Sequence, residues 1–524
     1  MTQFGLRPAL ASLLLLLGGC GSSDTPGPST IPENGTMLAD CGPGSRPETG
    51  LQGQVPIADR QSGRNLLGYS CNLELVGQYQ GVGASIVNPA FDTCAYLATS
   101  GVLIDPLQLL QPNPGVHVVD ARDPTRPVLA TTLTAPAMAA GTWESLKVNA
   151  ARELLGGVAV GPLVGGAFFD VYDISDCAKP VHLNGIGGTS LSFPSNVLGH
   201  EGNWAPDGMT YWATGLVGGS ITAIDTRDPA SPRIIYTGLK GIPANHGAEF
   251  SADGNTMYLA TCFPGGVTIL DVSEVQARKP APQVRQIGSL TWNATSCAQH
   301  AIPVSWNGRP HLIVADEFNS EGVRIVDIVD PAEPKVVKQI QLQIQFSENA
   351  DLRRVDVAGN GAFGYEAHYC SVDRHADPTA LACGYFQSGI RVFDIRDPLQ
   401  VREIAYYNPP AQTGKGLQLQ HSLHAWVGGV LPTISDLNSA GSDSFAETLM
   451  RDVASVVDYV AALPGLLDDL GSGPVSGNLS ADWCSSPPQF VDGRIWVSCM
   501  DNGFMVLAFT NGVYPIREPL PRAR

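Results

Sequence analysis

The apolar positions of this chain fall in short β-branched or aromatic runs, each closed by an acidic turn, and the unit recurs. HVVDARDPTRP from His117, DVYDISDCAKP from Asp170, ITAIDTRDPASP from Ile221, VTILDVSE from Val267, VRIVDIVDPAEP from Val323 and IRVFDIRDP from Ile390 share one form. Each is a strand-like run, then Asp, two residues, Asp or Glu, and usually Pro. The leading acids Asp120, Asp173, Asp225, Asp271, Asp327 and Asp394 lie 53, 52, 46, 56 and 67 residues apart. Such a spacing suits one four-stranded sheet per repeat, with loops of varying length. Asp carboxylates accept local backbone N–H bonds and Pro presets φ, so the motif predicts a tight turn leaving a buried strand. One repeated turn explains all of these acids, which are therefore expected to be structural and not catalytic.

A second shared element precedes several of the runs: HEGNWAPDGMTYWATG from His200, HGAEFSADGNTMYLATC from His246 and HAIPVSWNGRPHLIVAD from His300. Its Asp-Gly or Asn-Gly dipeptide supplies the positive φ of a hairpin turn. Each repeat thus reads as hairpin, loop, strand, acidic turn and outer strand. A seventh unit, CSSPPQFVDGRIWVSCMDNGFMVLAF from Cys484, has Ala508 where the repeat acid would stand and no outer strand after it. The segment CNLELVGQYQG from Cys71 resembles the missing strand and precedes the first repeat. The expected fold is all-β: a seven-bladed β-propeller over residues 71–524, closed by an N-terminal strand that removes the exposed edges. Between residues 409 and 481 the pattern changes. Phe445, Leu449, Val453, Val456, Val457 and Val460 fall at helical spacing, Ser444 and Glu447 form a capping box, and Pro464 ends the run. This predicts a helical insertion before the last blade.

VRIVDIVDPAEP, IRVFDIRDP and ITAIDTRDPASP resemble LVIVD repeats, found in bacterial and archaeal surface-associated β-propellers. The resemblance covers about residues 71–407 and 481–509. It implies a fold and a location and no particular reaction, because propellers host unrelated functions.

Composition and charge narrow the picture. With 58 Gly, 40 Pro and only 15% charged residues, the chain suits short strands and many turns. A formal charge of -18 repels phosphate backbones, and nucleic acid is excluded as a partner. The start, MTQFGLRPALASLLLLLGGC, carries Arg7, an apolar run from Leu13 to Leu17 and small residues before Cys20. It resembles a lipoprotein signal at 1–19, so Cys20 is the expected lipidation site and residues 20–70 a lipid-anchored tether and N-terminal segment. Gly21, by resemblance to Gram-negative lipoproteins, favours the outer membrane, on either its periplasmic face or the cell surface, with the membrane reached through the lipid.

Ten further cysteines remain, and an even number in an exported chain reads as disulfides. None forms a C-x-x-C pair. Cys370 and Cys383 are expected to close a loop of blade six, Cys484 and Cys499 to face each other across a hairpin turning near Gly493, and Cys262 and Cys297 to bridge adjacent blades. Cys41 with Cys71 and Cys94 with Cys177 follow only by elimination, since connectivity is not fixed by sequence.

Candidate chemistry comes from aligning the hairpins on their turn glycine. His200, His246 and His300 each lie eight residues before Gly208, Gly254 and Gly308, which would start three inner strands at one rim of the axial channel. A looser count adds Glu144, and Asp351 in blade six. Three imidazoles with a carboxylate suit Zn or Cu; a repeated histidine is equally explained as part of the blade pattern. His421 and His424 could reach over the same face, and His368 lies near it. Long insertions at 100–115, 157–166 and 370–388, with the helical one, emerge on that face, where binding usually resides. Two functions are therefore expected: a non-enzymatic, monomeric binding module for a protein, peptide or glycan, or alternatively a metal-binding protein or metal-dependent enzyme, analogous to the propellers of the selenium-binding protein and methanethiol oxidase family. No nucleophile motif or phosphate-cradling loop is present to name a catalytic residue.

Overall fold

The computed structural model describes residues 34–517 apart from 100–113, 160–166, 186, 192–198, 216–217, 242–243, 358–359, 361–362, 413–418, 423 and 426–480. Its strands form seven antiparallel sheets. Blade three shows the common order: Gly199–Trp204, Thr210–Gly215, Ser220–Asp225 and Arg233–Leu239, each hydrogen-bonded to the next. The first strands of the other blades are Ala90–Phe91, Lys147–Asn149, Ala244–Phe250, Ala298–Trp306, Ala367–Val372 and Gln489–Val491. First strands of neighbouring blades touch one another around a common axis, as in blades three to six.

The repeat explains this architecture. In each unit the leading Asp accepts the backbone N–H two residues on: Asp120 from Arg122 at 2.8 Å, Asp173 from Ser175 at 2.8 Å, Asp271 from Ser273 at 2.9 Å and Asp327 from Val329 at 2.8 Å. Asp225 and Asp394 do the same for Arg227 and Arg396, and add an ion pair to the same arginine. These acids are turn formers, as their spacing implied. Apolar side chains from the middle strands then interdigitate between blades. Phe169 and Val171 of blade two pack with Trp204 and Tyr211 of blade three, and further clusters join the blades in succession until Trp496 and Phe504 of blade seven meet Leu97 and Val119 of blade one. Each fully buried side chain of this kind contributes about 1.5–3 kcal/mol relative to exposure.

Closure is by the N-terminal strand. Leu73–Tyr79 pairs antiparallel with Gly503–Phe509, Leu73 opposite Phe509 and Tyr79 opposite Phe504. Blade six carries a fifth strand that the sequence did not announce, Tyr69–Cys71, paired with Arg402–Asn408. The preceding segment is also seated on the propeller: Gly35 bridges Gln341 and Met37 bridges Arg402. Thus the stretch expected as tether is, from residue 34, a strap along blades five and six. Five disulfides form, joining Cys41–Cys71, Cys94–Cys177, Cys262–Cys297, Cys370–Cys383 and Cys484–Cys499, the full set expected. Disulfides of this density belong to an oxidising compartment. No helix among the described residues is long and apolar enough to cross a membrane. The signal segment with Cys20, the helical insertion and most of the loops at 100–115 and 157–166 lie outside the described residues.

Candidate functional site

A β-bulge interrupts the first strand of blades three to six at the same level of the channel. The irregularities fall between Gly199 and Glu201, Asn245 and Ala248, Ala298 and His300, and Ala367 and Cys370. A bulge leaves a residue unpaired and re-aims its side chain. Here the residues so placed include His200, His246, Gln299 and His368, and all four reach Glu144, which precedes the first strand of blade two.

Glu144 is 1% exposed and is the hub. Its Oε2 accepts Gln299 Nε2 at 2.8 Å and the Tyr369 hydroxyl at 3.3 Å, and lies 3.3 Å from His200 Nε2 and 3.5 Å from His246 Nε2. Oε1 lies 3.3 Å from His368 Nε2. A second carboxylate, Glu317, follows the second strand of blade five and spans the same two rings, 3.7 Å from His246 Nε2 and 3.6 Å from His368 Nε2. Both rings are held from behind. His246 Nδ1 bonds Glu201 Oε2 at 2.9 Å, Glu201 bonds Lys147 Nζ at 3.1 Å, and His368 Nδ1 donates to the Ser485 carbonyl at 2.9 Å. His200 differs: its Nε2 also accepts the Trp143 indole N–H at 3.1 Å, which engages its lone pair.

Burial alone would raise Glu144, yet the imidazoles around it outweigh that and hold the carboxyl well below its usual range. Burial likewise opposes charge on His368, but hydrogen bonds to Glu144 and Glu317 push it up to about 10. His246 is raised for the same reason, against its own burial, chiefly by Glu144. Buried positive charge therefore sits between two buried carboxylates, as a bound cation would.

The glycine alignment placed His300 in this group, and the structure does not. His300 Nε2 accepts the Cys370 backbone N–H at 3.3 Å, and its ring lies 4.8 Å from that of Tyr369, one step further along the channel. The cause is the turn. Trp306 pairs directly with Arg309 around a two-residue turn, whereas Trp204 pairs with Tyr211 and Phe250 with Met257 around longer ones. Counting back from the glycine therefore slips the register, and the bulged position in blade five belongs to Gln299. Asp351 lies on an outer helix, Ala350–Val357, paired with Arg354. His424 is tied to Asp501 at 2.8 Å, and His421 packs against His117 with ring centroids 4.5 Å apart, neither reaching Glu144. Burial holds His421 down to about 3, in its neutral form. Glu317, Glu201, Gln299 and Tyr369 were missed. Glu201 was legible as the neighbour of His200; Glu317 carries no sequence signal beyond following a strand.

One turn of pleat beyond this layer the same strands present Lys147, Asn203 and Glu249. Burial pushes Glu249 up to about 7, with Lys147 opposing and Glu201 reinforcing. Its folded pKa is thus above the ordinary 4.5, so folding favours the protonated form: that contribution is complete below about pH 4.5 and is lost as pH rises through 7. Glu249→Gln, which imitates the protonated form, is expected to be more stable than wild type at alkaline pH by about 1–2 kcal/mol and equal to it in acid. Denaturant unfolding at the two extremes checks this; a pH-independent difference would contradict it.

No protein-family model and no curated relative matches the chain. Solved structures are similar in outline only. The periplasmic gluconolactonase of Pseudomonas aeruginosa is 13% identical, covering 64% of this chain and 96% of its own, with a TM-score of 0.45. A putative 6-phosphogluconolactonase from Bacteroides fragilis is 10% identical over 60% of this chain and 82% of its own, with a TM-score of 0.44. The β-propeller domain of Cps50 (Swd1) from Myceliophteria thermophila is 12% identical over 59% and 83%, with a TM-score of 0.38. Chemistry is therefore argued from this chain's own residues.

Proposed function

We propose that the axial channel binds a divalent transition-metal ion, with Glu144, His246, His368 and Glu317 as its ligands. The observation that carries this reading is His246. Its Nδ1 is fixed by Glu201, while its Nε2, fully buried and facing Glu144 and Glu317, has no hydrogen-bond partner among the described residues. A carboxylate behind one imidazole nitrogen, with the other nitrogen aimed at further ligands, is the arrangement that orients metal-binding histidines. His368 repeats it, with the Ser485 carbonyl in the carboxylate's place. The donors are nitrogen and oxygen, since nearby Cys297 is engaged with Cys262. Such a set suits Zn, Cu(II) or Fe(II) over Cu(I).

The setting of this centre is an exported, LVIVD-like envelope protein, anchored to the outer membrane through lipid on Cys20. Five disulfides and the lipoprotein-like leader support that reading. The alternative, a binding module for a protein, peptide or glycan, rests on the inserted loops and has no observation of comparable weight behind it.

Titration calorimetry of chelator-treated protein with Zn2+ tests the proposal. One ion per chain is expected, with proton release as the imidazoliums give up their hydrogens. Glu201→Gln is expected to weaken binding by about 10–100-fold through loss of its hold on His246. Binding that survives His246→Ala and His368→Ala together would overturn the assignment.

A further inference from the structure

Beyond the Glu144 layer the channel widens into a cavity of about 450 Å³. Every blade contributes to its wall: Ala90, Val148, Asn203, Glu249, His300, Ser371 and Gln489 come from blades one to seven in turn. The cavity is therefore axial. It lies three residues along the first strands from the metal-ligand level, as Asn203 follows His200 and Glu249 follows His246, or about 10 Å at the rise of a strand. The 370–388 insertion was expected at the other end of the channel, but its loop joins the first two strands of blade six, from Val372 to Ala380, and comes to this side with His375 in the cavity wall. Tyr369 partitions the two levels, its hydroxyl on Glu144 Oε2 and its ring in the cavity wall.

The polar groups of the wall are unevenly engaged. Asn203 is satisfied at both ends, donating to the Ala248 carbonyl and accepting the Trp204 N–H. Gln489 likewise accepts from the Ala90 N–H and donates to the Asn88 carbonyl. Two donors remain. Lys147 makes one bond to Glu201 and lies 5.0 Å over the Tyr369 ring, which leaves ammonium hydrogens to offer. His300 is 3% exposed, and burial holds it neutral. A neutral ring that accepts at Nε2 carries its hydrogen on Nδ1, and Nδ1 has no partner among the described residues. His300 and Lys147 both face Tyr369, and Val148, Ile302 and Phe490 supply apolar wall nearby.

We propose that this cavity binds a small organic carboxylate, its anionic end held by Lys147 and the Nδ1–H of His300 and its apolar body along Val148, Ile302 and Phe490. The site stands whether or not the Glu144 level holds metal. Glu249, uncharged on the acid side of 7, adds an O–H donor instead of a repelling charge.

Benzoate is a suitable probe, titrated by calorimetry into wild-type protein at about pH 6, where Glu249 is protonated. Benzoate is expected to bind, and benzyl alcohol and benzylamine to bind at least about tenfold more weakly, since neither offers an anion to paired donors. Ser371→Phe, which fills the cavity, is expected to abolish the benzoate heat. His300→Leu is expected to weaken binding about tenfold. Both variants should take up Zn2+ as wild type does, so a folding or metal failure is seen separately. Benzoate binding unchanged in Ser371→Phe, benzyl alcohol binding as tightly as benzoate, or no benzoate heat with the wild type would each overturn the proposal.

Discussion

Glu144→Ala is expected to lose both metal uptake and about 3–5 kcal/mol of stability, the cost of leaving buried charges without their partner. The side chain is 1% exposed and faces His200, His246 and His368, with Gln299 and Tyr369 donating to it. Its removal strands two buried donors and takes away the carboxylate that all three rings share. Glu144→Gln separates the two effects. It keeps an acceptor for Gln299 and Tyr369, so part of the stability should return, while the anionic ligand stays absent and Zn2+ affinity stays low. Thermal melts of both variants with and without Zn2+ make the comparison. A Zn2+-dependent rise in Tm as large in either variant as in wild type would exclude Glu144 as a ligand.

The second large effect is expected at Arg391. This guanidinium is fully buried in the third strand of blade six, paired with Glu48 of the N-terminal strap and with Glu403, and stacked 4.6 Å over the Tyr406 ring. The carboxylates outweigh the burial that would otherwise lower its pKa, and raise it. Arg391→Met leaves Glu48 and Glu403 facing each other without a cation, again at a cost of about 3–5 kcal/mol. Glu48 can escape that repulsion by leaving, because it belongs to the strap and not to a blade. Limited proteolysis should then cut between Cys41 and Cys71 in the variant and not in wild type. The fragment should separate only on a reducing gel, since the Cys41–Cys71 disulfide still holds it. Equal resistance of the two proteins would mean that the strap is held without the Arg391–Glu48 pair.

The fold was legible in the sequence because its determinants are local. The acidic turn, Asp, two residues, then Asp or Glu, is written into six segments, four of them with Pro directly after it, and the strand from Cys71 matches the strand that blade seven lacks. The site was only partly legible because the channel level is set by bulges. Placement of His200 and His246 followed from their spacing to Gly208 and Gly254, since both hairpins use longer turns. In blade five a two-residue turn broke that spacing, so His300 was assigned where Gln299 sits. His368 has no turn glycine to align on, and Glu317 comes from a loop whose path depends on the packing of blades five and six. The strap from residue 34 to Cys71 was hidden for another reason: its contacts with Gln341, Asp356 and Arg391 are made hundreds of residues away in sequence.

Elemental analysis of the protein, produced without Met1 to Cys20 in an oxidising compartment, tests the central claim most directly. It should be run beside a His246→Ala, His368→Ala double variant and a His300→Ala variant. The structure predicts about one transition-metal ion per chain in wild type and in His300→Ala, and none in the double variant. Metal-free wild type that stays so after reconstitution with Zn2+, or metal lost equally from His300→Ala, would contradict it.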